Sequence, residues 1–265
     1  MIRIALAASM RRLTLLLVAI LCATSLGFGA PAQAQNAGPT AVQPGFTAGQ
    51  RDEIVRIIRE ALKRDPSILR DAVQAMQVDE GRRQEQESRA AIDKLQAELV
   101  ASPSDQVAGN GNGDVTIVEF YDPRCPYCRR MVPVMAELMR TDPGVRVVYK
   151  DLPVLGPASL LESRALMASQ KQGGYLKLRE LMMRSAPDAT IDSVRAMAEK
   201  VGLDWAKLAR DMDDPAVKTR VDANLKLAEQ LGIQGTPAFV IGRKMLPGAV
   251  DLGELRQTLA EARGR

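Results

Sequence analysis

The chain has 265 residues, with 36 Lys or Arg, 32 Asp or Glu, three cysteines and no histidine. That length allows a sizeable core in one or two domains. The first 34 residues hold Arg3, Arg11 and Arg12 and no acid, which leaves 33 basic against 32 acidic residues elsewhere; this near-neutral balance gives no ground for a nucleic-acid partner.

The leading arginines precede an apolar run over residues 13–26, and Ala32-Gln33-Ala34 is a small-x-small site. This is the pattern of a secretory signal peptide over residues 1–34, cleaved before Gln35. An uncleaved anchor is the alternative, but the run is short for a span of about 20 residues. Cys22 leaves with the leader, so the mature chain keeps only Cys125 and Cys128. A secreted chain with such a thiol pair is not a disulfide-stapled scaffold; it points to chemistry on the disulfides of others. The leader together with Arg/Ala-rich usage suggests a Gram-negative periplasm.

Residues 35–45 read as a disordered N-terminus. Thr47 then suits a helix N-cap, and Ile54, Val55, Ile57, Ile58, Ala61 and Leu62 follow helical spacing. Asp65-Pro66 breaks that helix, and a second carries Ile68, Leu69, Ala72, Val73 and Met76 on one face. Two such short helices must bury their stripes against something. Residues 79–100 form a highly charged helix with a narrow stripe of Ile92, Leu95 and Leu99. It reads as a solvated surface helix or as a stalk, with Gly81 as a flexible point. Residues 102–113, with Gly-Asn-Gly-Asn-Gly, read as a loop closing a domain boundary.

From Asp114 the pattern is α/β. A strand is expected over 115–121, then a turn at Asp122-Pro123, then a helix to about residue 140 with Pro133 inside it. Cys125 falls at the N-cap of that helix and Pro126 at its first position, where a missing N–H costs nothing. A thiolate at Cys125 would face the helix's unpaired N–H groups and positive dipole end. Cys128 lies one turn later. A zinc site needs four Cys or His ligands, which this chain cannot supply from within. A purely structural bond across so short a loop would restrain little unfolded-chain entropy. Redox chemistry is the reading that remains favoured. A second strand is expected over 145–150, and helices over 157–231 whose apolar and methionine residues read as plain core. Residues 235–242 turn into a strand, 245–250 form its hairpin partner, and Asp251 caps a last helix.

This order resembles the thioredoxin fold with a helical insertion, as in the DsbA-like family of periplasmic thiol-disulfide oxidoreductases, over about residues 112–263. The resemblance implies that Cys125-Pro126-Tyr127-Cys128 is the active site. It also implies that Thr236-Pro237 is a cis-proline loop that holds an extended substrate together with Pro126 and Tyr127, and that Glu119 lies beneath the cysteines to relay the proton of Cys128. No cofactor is implied beyond the redox-active Cys125–Cys128 disulfide, and no metal. Residues 46–100 resemble the oligomerisation region of the copper-sensitivity suppressor C proteins, a branch of the same family. That implies a helical oligomerisation or stalk region at 46–111, ahead of a DsbA-like domain at 112–265, and a homo-oligomer such as a trimer. Thr236 resembles the isomerase-type members. Tyr127 stands where the strong oxidase has histidine, which implies a less oxidising site. The expected function is a periplasmic protein disulfide isomerase. Its partners would be unfolded or misoxidised secreted proteins and a membrane redox protein that resets the cysteines. A DsbA-type dithiol oxidase, or a copper(I)-binding envelope protein using the same thiols, remains the alternative.

Overall fold

The computed structural model describes residues 45–103, 105–185 and 188–264. The leader, its cleavage site, Cys22 and residues 35–44 lie outside them. The chain divides between Lys63 and Arg64 into two compact units.

In the first unit the described residues are those around helix α1 (Ala48–Arg64). Its N-terminus is capped as the sequence predicts. The Gln50 N–H donates to Thr47 Oγ1 at 3.3 Å, and the Thr47 N–H donates to Gln50 Oε1 at 2.8 Å, so two otherwise unpaired donors are satisfied reciprocally. None of its residues is buried, and Val55, Ile57 and Ile58 are exposed.

The second unit opens with α2 (Ser67–Lys94) and the short α3 (Gln96–Val100). The helix runs unbroken through Gly81, so the expected flexible point is helical. Its first half exposes Ile68, Leu69, Val73 and Met76, the last at 71%. Its end behaves differently: Ile92, Leu95 and Leu99, read from sequence as a narrow stripe on a solvated helix, are buried in the core. The segment 102–113, expected to be a loop, contains strand β1 (Gln106–Gly109). Gly109 ends it at φ +72°, where a Cβ would meet the Val145 carbonyl at 2.6 Å.

The following elements are β2 (Val115–Tyr121), α4 (Pro126–Thr141) and β3 (Val145–Asp151). The helical insertion comprises α5 (Pro157–Ser169), a 3-10 turn, α6 (Tyr175–Ser185), α7 (Ile191–Lys200), α8 (Trp205–Met212) and α9 (Pro215–Gln230). The chain closes with β4 (Ala238–Ile241), β5 (Lys244–Pro247) and α10 (Leu252–Ala262), which Asp251 caps by accepting from the Glu254 N–H. The hairpin partner β5 is thus shorter than the expected 245–250.

The strands order as β1-β3-β2-β4-β5; β2 and β3 are parallel and the other neighbours antiparallel. Both faces of the central strands are covered, which is why β2 reads as nearly continuous apolar sequence. Ile117 and Tyr121 face one core with Met131, Met135 and Leu138 of α4, the insertion, and Leu255 and Leu259 of α10. Val118 and Phe120 face the other with Ile92, Leu95, Leu99 and Leu227. Alternation along β2 therefore turns Glu119 toward the α4 side. A sheet between helical layers, with the Cys-x-x-Cys helix after a central strand and a helical block inserted after β3, is a thioredoxin-like fold.

Candidate active site

Cys125 is the N-cap of α4, with extended backbone (φ −69°, ψ 121°), and Pro126 occupies the first turn. The turn that delivers it is pinned by a buried carboxylate. Asp122 Oδ1 accepts from the Arg124 N–H at 2.7 Å and from Ser159 Oγ at 2.8 Å. Its Oδ2 accepts from the N–H groups of Val154 and Leu155 at 2.8 and 3.0 Å. Asp122 thus ties the cysteine turn to the start of the insertion. From sequence it was legible only as a turn residue.

Both cysteines are free thiols. Cys125 is 4% exposed and Cys128 fully buried, so Cys125 is the more accessible sulfur of the two. The Cys125 thiol donates to the Thr236 carbonyl at 3.2 Å, and the Thr236-Pro237 peptide is cis. The structure thus brings the two expected halves of the site together across 111 residues of sequence. Pro126 and Tyr127 are exposed beside Cys125. Tyr127 is 53% exposed, with the Arg130 guanidinium 4.4 Å from its ring centroid. On the other side, Thr236 and Pro237 border a groove of about 1000 Å³ that runs between α2, at Glu87, Ser88 and Ala91, and the β5 edge. Among the described residues no group of three or more Cys, Asp or Glu side chains could hold a metal ion. No helix among them is long and apolar enough to cross a membrane.

Burial pushes the Cys128 thiol up, and the neighbouring Cys125 and Glu119 add to the effect. Glu119 is itself fully buried, as the β2 alternation requires. Its Oε2 accepts from Arg179 Nη2 at 3.3 Å, while Oε1 has no hydrogen-bond partner among the described residues. Burial raises the Glu119 carboxyl, and the Arg179 charge opposes that. A buried carboxylate with an unfilled acceptor therefore acts electrostatically on the buried Cys128 thiol.

Sequence reasoning missed Arg179. The available signal was a cation four residues after Tyr175 on the apolar stripe of a helix. It also missed Asp151, the last residue of β3, one position beyond the expected strand. Glu162 of α5 is the third, buried and paired with Arg124 at 3.3 Å beside the cysteine turn.

A profile of the DSBA-like thioredoxin domain matches residues 116–260. The chain belongs to this family. A thioredoxin-like oxidoreductase from Silicibacter pomeroyi DSS-3 is 38% identical, with a TM-score of 0.62, over 64% of this chain and 98% of that one. ScsC of Proteus mirabilis in a transitional conformation is 28% identical, with a TM-score of 0.61, over 83% of this chain and 98% of that one. DsbA of Bordetella pertussis is 27% identical over 154 residues, covering 53% of this chain and 69% of that protein. The Na(+)/H(+) antiporter NhaA 3 of Salinispora tropica is 25% identical over 160 residues, and the chain spans only 24% of that protein's length.

Proposed function

We propose that the protein is a periplasmic thiol-disulfide oxidoreductase that acts as a protein disulfide isomerase, exported by a signal peptide cleaved before Gln35. The observation that carries this reading is the placement of Cys125, the more accessible of two buried thiols, against the Thr236 carbonyl, with Cys128 fully buried one helical turn on.

The Cys125 thiolate attacks one sulfur of a substrate disulfide. A bond forms from Cys125 to that sulfur, and the other substrate sulfur leaves as a thiolate. The Thr236-Pro237 backbone lies beside Cys125, where an extended guest chain would run, and the groove beyond receives its continuation. Isomerisation ends when another substrate thiolate attacks the same sulfur and releases Cys125 reduced. If none does, Cys128 gives its proton to Glu119 Oε1 and attacks Cys125, forming the Cys125–Cys128 disulfide and freeing a substrate thiol. A membrane redox protein then returns the pair to the dithiol. The same geometry would serve a dithiol oxidase if that partner kept the pair oxidised, and two thiolates could hold copper(I).

Cys125→Ser should abolish both insulin reduction and rescue of scrambled ribonuclease by the mature chain. Full retention of either by the variant would refute the mechanism. Rescue of scrambled ribonuclease by the unaltered chain supports the isomerase; thiol oxidation without rescue would assign an oxidase. A tight copper(I) complex with no turnover on disulfides would assign a carrier. The exposed stripes of α1 and the first half of α2 fit a homo-oligomer, since patches of this kind are rarely left uncovered. Light scattering of the mature chain should give a multiple of the protomer mass, and a monomer would overturn that part.

A further inference from the structure

The insertion does more than cover the sheet. Its helix α6 carries Arg179, itself buried, to Glu119. The strand residue opposite Glu119 is Tyr149 in the β2–β3 register, so the neighbouring strand offers no cation there. Arg179 supplies it. Its guanidinium carbon lies 3.8 Å from the Tyr149 ring centroid and 4.2 Å from that of Tyr121, while Nη2 reaches Glu119. Burial works against its charge, but Tyr149, Glu119, Tyr121 and Tyr175 together outweigh burial, and it stays a cation.

A second buried carboxylate shares this surround. Asp151 ends β3 and accepts from the Tyr121 hydroxyl at 2.9 Å and the Tyr175 hydroxyl at 2.6 Å. Those hydroxyls lie 2.8 Å apart, and burial keeps both protonated as donors. Arg220 of α9 faces Asp151 electrostatically, and Asn224 donates to its backbone carbonyl at 3.0 Å. Asp151 also borders a cavity of about 150 Å³, roomy enough for water that could carry a proton away.

We propose that Arg179 is a positioning residue shared between Glu119 and Asp151, so that the helical insertion sets how readily Glu119 takes the proton of Cys128. The inference rests on Cys128 being the resolving thiol. Arg179 donates to Glu119 and lies over the ring of Tyr121, whose hydroxyl donates to Asp151, and its charge acts on both carboxylates. When Asp151 is ionised, its negative charge offsets part of the Arg179 field at Glu119, and Glu119 is the stronger base. When Asp151 is protonated, that offset is gone and Arg179 holds Glu119 as a weaker base. Burial pushes Asp151 up to about 6, against the hydrogen bonds from Tyr175 and Tyr121, so this exchange falls in mildly acid solution.

The test is the reaction of the reduced mature chain with 5,5′-dithiobis(2-nitrobenzoate) between pH 5 and 9. Cys125 attacks the reagent and releases one thionitrobenzoate. Cys128 then loses its proton to Glu119 and attacks Cys125; the mixed disulfide breaks, the Cys125–Cys128 disulfide forms, and a second thionitrobenzoate leaves. The first phase reports Cys125 and the second Cys128. Arg179→Met should move the acid limb of the second phase up by about one pH unit, slowing it about tenfold there. Arg179→Lys should restore part of the shift. Asp151→Asn should move the limb the opposite way, to lower pH, and it serves alone if Arg179→Met does not fold. A purely structural role would lower stability without separating the two directions. Superimposable second-phase profiles, or shifts of both variants in the same direction, overturn the inference. An unaltered chain with no second phase overturns the proposed function itself, and this inference with it.

Discussion

A chain shortened to begin at Ala101 will not fold, while one that begins at Gly81 will fold and keep both thionitrobenzoate phases. The reason lies in α2 and α3. Ile92, Leu95 and Leu99 are buried against Val118, Phe120 and Val148, on the face of the sheet opposite the cysteine helix. Truncating one such side chain to alanine costs about 2–5 kcal/mol, and a domain of this size has only about 5–15 kcal/mol to lose. Deleting all three also strips polar ties. Arg243 forks onto Asp93, with one arm at 2.8 Å, and Arg146 donates to the Val100 carbonyl at 3.1 Å. Residues 64–80 contribute no buried apolar side chain. Circular dichroism and urea titration of the two shortened chains decide the matter. A cooperative transition in the chain starting at Ala101, matching that of the longer one, would contradict the assignment of these helices to the core.

The second large effect concerns a buried ion pair. Lys150 of β3 is 2% exposed in its side chain, and its ammonium donates to both oxygens of Asp105 at 2.7 and 2.8 Å and to the Glu98 carbonyl at 2.7 Å. Burial lowers the lysine and raises the aspartate, in each case against the pairing, so desolvation outweighs attraction for both partners. Such a pair contributes little net stability while intact but costs much when halved. Asp105→Ala should therefore destabilise the protein by about 3–5 kcal/mol, visible as a lower urea midpoint. Adding Lys150→Met should recover much of the loss, because an apolar chain of similar length leaves no buried charge unpaired. An unchanged midpoint for Asp105→Ala would show that water already reaches the ammonium.

What the sequence made legible was local. Strand, turn and helix around Cys125 follow from a β-prone run, Asp122-Pro123 and a proline in the first helical turn, and each is encoded within a few residues. The caps at Thr47 and Asp251 are of the same kind. What it hid depends on distant partners. β1 is four residues ending in a glycine-rich turn and becomes a strand only by pairing with β3, some 40 residues on. The stripe of Ile92, Leu95 and Leu99 looks thin along α2 because its complement is spread over strands and α9. The face taken by Glu119 was undecidable from alternation, since β2 is buried on both sides. Arg179 could not be placed at all without knowing that α6 packs across the cysteine side of the sheet.

The sheet's two borders carry a further consequence. β1 and β5 are each four residues long. One ends at a left-handed glycine, and the other begins with lysine and finishes at Pro247, which has no N–H to offer a neighbour. Under the proposed function the protein would meet partly unfolded chains with exposed backbone, which is the circumstance in which free borders template fibrils. Short borders closed by lysine, proline and a kinked glycine deny a stray chain the length it needs to propagate. On that reading, visiting polypeptides would be left to bind beside the thiol, where binding ends in exchange and release.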